Sequence, residues 1–139
     1  MSRSGYSDDC DSEWQLIMWR GRVASATRGK RGQAMLRELL VALDALPTKR
    51  LIAHELIADG DVCAIGSLGL ARGVEMEKLD VEDYRAVART FGVAEPLVRE
   101  IEWVNDEAGW GNETPEARWS RMRDWIASQI KSAPPPAST

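Results

Sequence analysis

The chain has 139 residues, 44% of them hydrophobic and 29% charged, with a formal net charge of −4. That describes one globular domain, long enough to bury a sizeable core. It excludes a disulfide framework and a four-thiolate metal site, because Cys10 and Cys63 are the only two cysteines, and no apolar run approaches the ~18 residues of a transmembrane helix.

The first ten residues are polar and acidic. They lack the apolar stretch of a signal peptide, so a cytoplasmic protein is expected, with 1–10 as a flexible arm. Ser12 and Gln15 have the spacing of a helix cap, and the first helix should run from Glu13 to about Thr27. Leu16, Trp19 and Val23 share one face of it, and Trp14, Ile17 and Met18 widen that stripe. Two glycines in Arg28-Gly-Lys-Arg-Gly32 predict a loop there. A second helix follows over about Gln33–Leu46, with Met35, Leu36, Leu39, Leu40 and Leu43 at helical spacing. The two helices should form an antiparallel hairpin.

Residues 51–62 are the one segment with β character. Asp59-Gly60 is a tight-turn dipeptide, and Leu51–Ile57 reads as a strand, with a helix as the competing reading. A short helix should run from Cys63 to its C-cap Gly73, thinned by Gly66 and Gly69 so that another helix can approach. Asp80 is the expected cap of a helix over Val81–Phe91. Gly92 turns the chain into a helix over about Glu95–Ala108, giving a helix-turn-helix-like corner at 81–108. Thr114-Pro115-Glu116 opens a last helix carrying Trp119, Met122, Trp125, Ile126 and Ile130. The proline-rich 132–139 should be a disordered tail. The fold class is therefore mainly α: a single domain, 11–131, of five to six helices with one small β-hairpin.

Charge is unevenly spread. Residues 1–50 hold nine Lys/Arg and six Asp/Glu, whereas residues 51–139 hold nine and sixteen. In the helix-turn-helix corner Ala88 and Gly92 provide the close contact and the turn. In a DNA reader the second helix would enter the major groove. Here Glu95–Glu107 contains five acids against Arg99 alone, which repels phosphate. Glu95, Arg99, Glu100, Glu102, Trp103, Asp106, Glu107 and Trp110 instead read as a partner-binding face, with tryptophan anchors in a charged rim. A second candidate is the basic segment with Arg20, Arg28, Lys30 and Arg31, suited to a nucleic-acid backbone or an acidic protein, against the simpler reading of a solvated loop.

No catalytic constellation emerges. Gly66-Ser-Leu-Gly69 lacks the lysine of a phosphate loop. His54-Glu55 lacks the second histidine of a zinc-protease helix, and Asp59-Gly-Asp61 is too short for a calcium loop. Cys63 and His54 are the one conceivable thiol–imidazole pair, although a packed cysteine is the commoner arrangement. No enzyme activity, cofactor or metal is expected.

The strings DSEWQLIMWRGRV, ADGDVCAIGSLGLARG and NDEAGWGNETPEARWSRMRDWIASQI resemble small accessory proteins encoded by tailed phages and prophages of proteobacteria, over most of residues 11–131. The resemblance implies a protein of the bacterial host cytoplasm that binds a host or phage macromolecule, with inhibitors of host defence among the roles. It brings no catalytic residues. The expected function is non-enzymatic binding of a protein partner through the acidic helical face. A small DNA-binding regulator is the alternative, and self-assembly into a homo-oligomer is a third reading. No membrane partner is expected.

Overall fold

A computed structural model describes residues 12–109 and 111–131. The expected arm, Cys10, Trp110 and the tail 132–139 lie outside the described residues. The architecture is mainly helical: α1 (Glu13–Arg28), α2 (Lys30–Ala45), β1 (Ile57–Ala58), β2 (Asp61–Val62), α3 (Ala64–Arg72), α4 (Tyr84–Phe91), α5 (Glu95–Asp106) and α6 (Pro115–Gln129). A 3-10 turn, Met76–Lys78, bridges α3 and the approach to α4. Among the described residues no helix is long and apolar enough to cross a membrane.

The predicted basic loop is instead a single-residue break. Gly29 ends α1 and begins α2, so Arg28, Lys30 and Arg31 lie on helix ends. Gly32 continues α2 because helix contact, not chain reversal, is what it serves. A Cβ at Gly32 would overlap the Ala26 carbonyl, so glycine lets α2 close on α1.

The β-hairpin is shorter than expected, pairing Ile57 with Val62 and Ala58 with Asp61. Asp59 and Gly60 have φ of 52° and 84°, the doubly positive turn that suits a two-residue hairpin. Residues 51–56 are held to other segments rather than in a ladder. Leu51 N donates to Pro115 O at 3.0 Å and Ile52 N to Val62 O at 2.9 Å. Cys63 caps α3, its Sγ accepting from Gly66 N at 3.3 Å. Gly66 and Gly69 do permit close approach, but of the hairpin backbone at Leu56 and of the Met76 side chain, not of a helix.

α4 starts three residues later than predicted. Asp83 caps it by accepting from Ala86 N at 3.1 Å, while Asp80 closes a local turn onto Glu82 N. The corner forms around Gly92, whose φ of 73° suits glycine, with Gly92 N and Val93 N both donating to Ala88 O. Thr114 caps α6 through Ala117 N at 3.0 Å.

The core joins Leu36, Leu39 and Leu43 of α2, Ile65 and Leu68 of α3, Phe91 of α4, Leu97 and Ile101 of α5, and Met122 and Ile126 of α6. Trp119 and Trp125 are half-buried against it, and Trp119 Nε1 donates to Leu43 O at 3.0 Å. Trp14, Ile17 and Met18 do not widen a core stripe. They stand exposed on the opposite side of α1 from Val23 and Thr27.

Candidate partner-binding face

α5 is enclosed on most sides. It packs against α1, α3, α4 and α6. Leu97, Val98, Ile101 and Val104 are buried, and Glu100 and Glu102 are enclosed with them at 3% and 5% exposure. Glu95, Pro96, Arg99, Trp103 and Asp106 remain half-exposed. Their spacing of three or four residues puts them on one outward stripe, and exposed Glu107 follows. The acidic face expected from the sequence therefore loses Glu100 and Glu102 to the interior. It keeps Glu95, Arg99, Trp103, Asp106 and Glu107.

The C-terminal end of α5 is fixed by α6. Arg121 Nη1 donates to Val104 O at 2.7 Å, and Arg118 Nε donates to Asn105 O at 3.1 Å. Cations suit these orphan carbonyls at a helix end. Glu113 orients both arginines, with Arg121 Nε–Oε2 at 2.6 Å and Arg118 Nε–Oε1 at 3.4 Å. The hydrogen bond from Arg121 holds the Glu113 carboxyl below the usual range, against a smaller opposing effect of burial. Asn105, 2% exposed, ties the same end to the hairpin side. Its Oδ1 accepts from Ala64 N and its Nδ2 donates to Ile52 O and Asp106 Oδ1.

On this rigid end sits a cleft of about 230 Å³, lined by His54, Val81, Glu82, Tyr84, Glu102, Trp103, Asp106 and Glu107. Asp106 Oδ1 accepts from His54 N at 3.0 Å, and its Oδ2 lies 3.7 Å from His54 Nδ1. Glu102 reaches the cleft from the interior, and its Oε1 is buried with no hydrogen-bond partner among the described residues. Burial, and then the neighbouring charge of Asp106, push the Glu102 carboxyl up to about 8, against a smaller opposing effect of Arg99. Arg99 pairs with Glu95 at 3.1 Å and lies over the Tyr84 ring, 4.5 Å from its centroid. His54, Glu82 and Tyr84 were not legible as part of this site. They come from segments 20 or more residues away from α5 or from the far side of the Gly92 corner, and no periodicity links them to it.

The other end of the stripe meets α1. Ala94 and Pro96 form an open groove with Ile17, Met18, Gly21 and Ser25. Trp14, Ile17 and Met18 above it are 69%, 59% and 47% exposed. Pro96 and Trp103 are seven residues apart, so groove and cleft lie on one side of α5, separated by ~10 Å of helix rise.

The basic candidates are separate. Arg20 and Arg28 line a cavity of about 220 Å³ between α1 and α6 that also contains Glu100 and Trp125. Lys30 and Arg31 are exposed at the start of α2. None of Arg20, Arg28, Lys30 and Arg31 makes an ion pair among the described residues.

The conceivable thiol–imidazole dyad is not assembled. His54 faces Asp106, while Cys63 is buried as a helix cap and burial pushes its thiol up to about 12. A thiol so rarely ionised is a poor nucleophile. Among the described residues, no group of three or more His, Cys, Asp and Glu side chains is placed to hold a metal ion. The chain matches no protein-family model, no curated protein and no solved structure.

Proposed function

We propose that the protein acts by binding rather than catalysis, as a phage-type accessory protein that docks the outward side of α5 onto a basic, partly apolar protein surface. Nucleic-acid-handling and defence complexes of a bacterial host carry such surfaces, because they are built to attract phosphate. One juxtaposition carries the reading: the exposed ridge Trp14–Ile17–Met18 and the acid-lined cleft at Trp103 lie at two ends of the same stripe. Contiguous exposed apolar surface is costly to leave in water and marks interaction sites. The acids beside it select positive partners and disfavour nucleic acid.

The test compares the wild-type chain with the double variant Glu82→Lys/Glu107→Lys in affinity isolation from nuclease-treated host lysate. Both residues are exposed, so the fold is retained, as circular dichroism would verify. The expected result is a protein captured by wild type and lost by the variant. Equal capture by both would remove the acidic cleft from the binding surface.

Arg20, Arg28, Lys30 and Arg31, without an ion pair among the described residues, favour a second reading, an anionic partner such as nucleic acid along α1 and the α1–α2 junction. α5 itself is too enclosed to enter a major groove, so the corner would not be the reader. Duplex retardation that falls steeply with salt would support this reading, and none at low salt would end it.

A further inference from the structure

We propose that the cleft beside Trp103 binds a single alkylammonium group, the kind of group a lysine side chain presents. For the source of that group the inference rests on the partner-binding reading above. For its chemistry it stands on the cleft alone.

The floor is the first argument. Glu102 is 5% exposed, lines the cleft, and has a buried Oε1 with no partner among the described residues. A buried carboxylate oxygen without a donor is costly, and its place in a helix interior calls for one. An ammonium entering from the cleft supplies up to three donors and the opposite charge. The rim is the second argument. Glu82, Asp106 and Glu107 surround the opening, so a cation is drawn in and an anion refused.

The walls narrow the choice of cation. Arg99 already occupies a face of Tyr84 and lies 5.9 Å from the Trp19 ring centroid. Among the described residues no cation stands over Trp103, so its ring is the aromatic surface that remains for a ligand. A guanidinium prefers two free oxygens of one carboxylate; Asp106 Oδ1 is already taken by His54 N and Asn105 Nδ2, which leaves such a pair only on the exposed rim acids Glu82 and Glu107. A compact ammonium needs only single oxygens from different carboxylates. A metal ion is disfavoured, because the acids do not form a coordinating group. The volume of about 230 Å³ accepts an ammonium head with its methylenes.

A further property follows from the groups that face Glu102. Burial and then the charge of Asp106 keep it protonated near neutrality, while Arg99 opposes them; Glu82, Glu107, Tyr84 and His54, the last beside Asp106, are the other titratable groups lining the cleft. An arriving ammonium ionises it. Binding therefore releases a proton, and affinity rises with pH between 6 and 9, for as long as the ammonium itself stays charged.

The experiment titrates the full chain with Nα-acetyl-lysine methylamide, following amide and indole resonances, with the neutral norleucine counterpart as control and cadaverine as a free diamine. Calorimetry in two buffers of different ionisation enthalpy counts protons. The expected result is a saturable shift at Trp103, Tyr84 and Asp106 with the lysine compound, none with norleucine, and net proton release near pH 7.5. Glu102→Gln should weaken binding about tenfold and abolish the proton release, and Glu82→Gln should weaken it less, with the release retained. Tighter binding of cadaverine would keep the cleft chemistry but make a free amine the ligand. Equal shifts with norleucine, shifts away from the cleft, or unchanged affinity in both variants would overturn the proposal. Lysine binding without any captured partner would leave the cleft intact and sink the partner reading alone.

Discussion

Glu102 shows how a residue's meaning depends on what surrounds it. Its charge can be counted in the sequence, but its burial cannot. A carboxyl raised to about 8 takes up a proton in the folded state that the unfolded state releases near its ordinary value of 4.5. Folding stability at this residue is therefore fully present below about pH 4.5 and declines as pH rises towards 8. Glu102→Gln keeps the shape and removes the titration. We expect the variant to gain on the order of 2 kcal/mol over wild type at pH 8 and little at pH 4.5, at ~1.4 kcal/mol per unit of pKa difference less relaxation. Urea unfolding at both pH values checks this, and a pH-independent difference would contradict it. Glu100 and Glu102 were misplaced on the surface because a stretch of acids looks solvated. α5 is covered on most sides, so the apolar rhythm that marks a single buried face could not locate them. Asn105, in the same stretch, is a buried hub that joins α5 to α3 at Ala64 and to the 51–56 segment at Ile52.

At the scale of elements, the helices and the Gly92 corner were legible because caps and glycines act locally. Ser12, Thr114, Gly73 and Gly92 all serve as expected. Errors fell where tertiary contact decides. Gly32 looks like a breaker but is a contact point with Ala26, and Asp80 and Asp83 are locally equivalent caps of which Asp83 is chosen. α1 carries apolar residues on both sides, so the sequence alone could not say that Trp14, Ile17 and Met18 face outwards. The junction of α5 and α6 gives the clearest test at this scale. Glu113, 6% exposed at its side chain, holds Arg118 and Arg121 on the α5 carbonyls. Glu113→Ala leaves both guanidinium groups without their carboxylate and should cost about 2–3 kcal/mol at pH 7. Because the folded-state carboxyl is depressed, the stability it contributes is present above about pH 4.5 and lost as pH falls further. The gap between wild type and variant should thus shrink below about pH 4.5, with wild type the more stable chain, whereas the Glu102→Gln difference has the opposite sign and closes between about pH 8 and 4.5.

Over the whole molecule, the uneven charge in the sequence becomes two separate surfaces. Arg28, Lys30 and Arg31 stand at the α1–α2 junction, while Asp106, Glu107 and Glu82 line a cleft at the end of α5 whose other end meets the apolar ridge. The central claim is that the second surface is the one that binds. Hydrogen exchange on the complex with a partner isolated by the wild-type chain tests it most directly. Protection is predicted at residues 14–21, 80–84 and 102–107, with residues 28–31 unchanged. Protection at 28–31 with the α5 side unaltered would contradict the account.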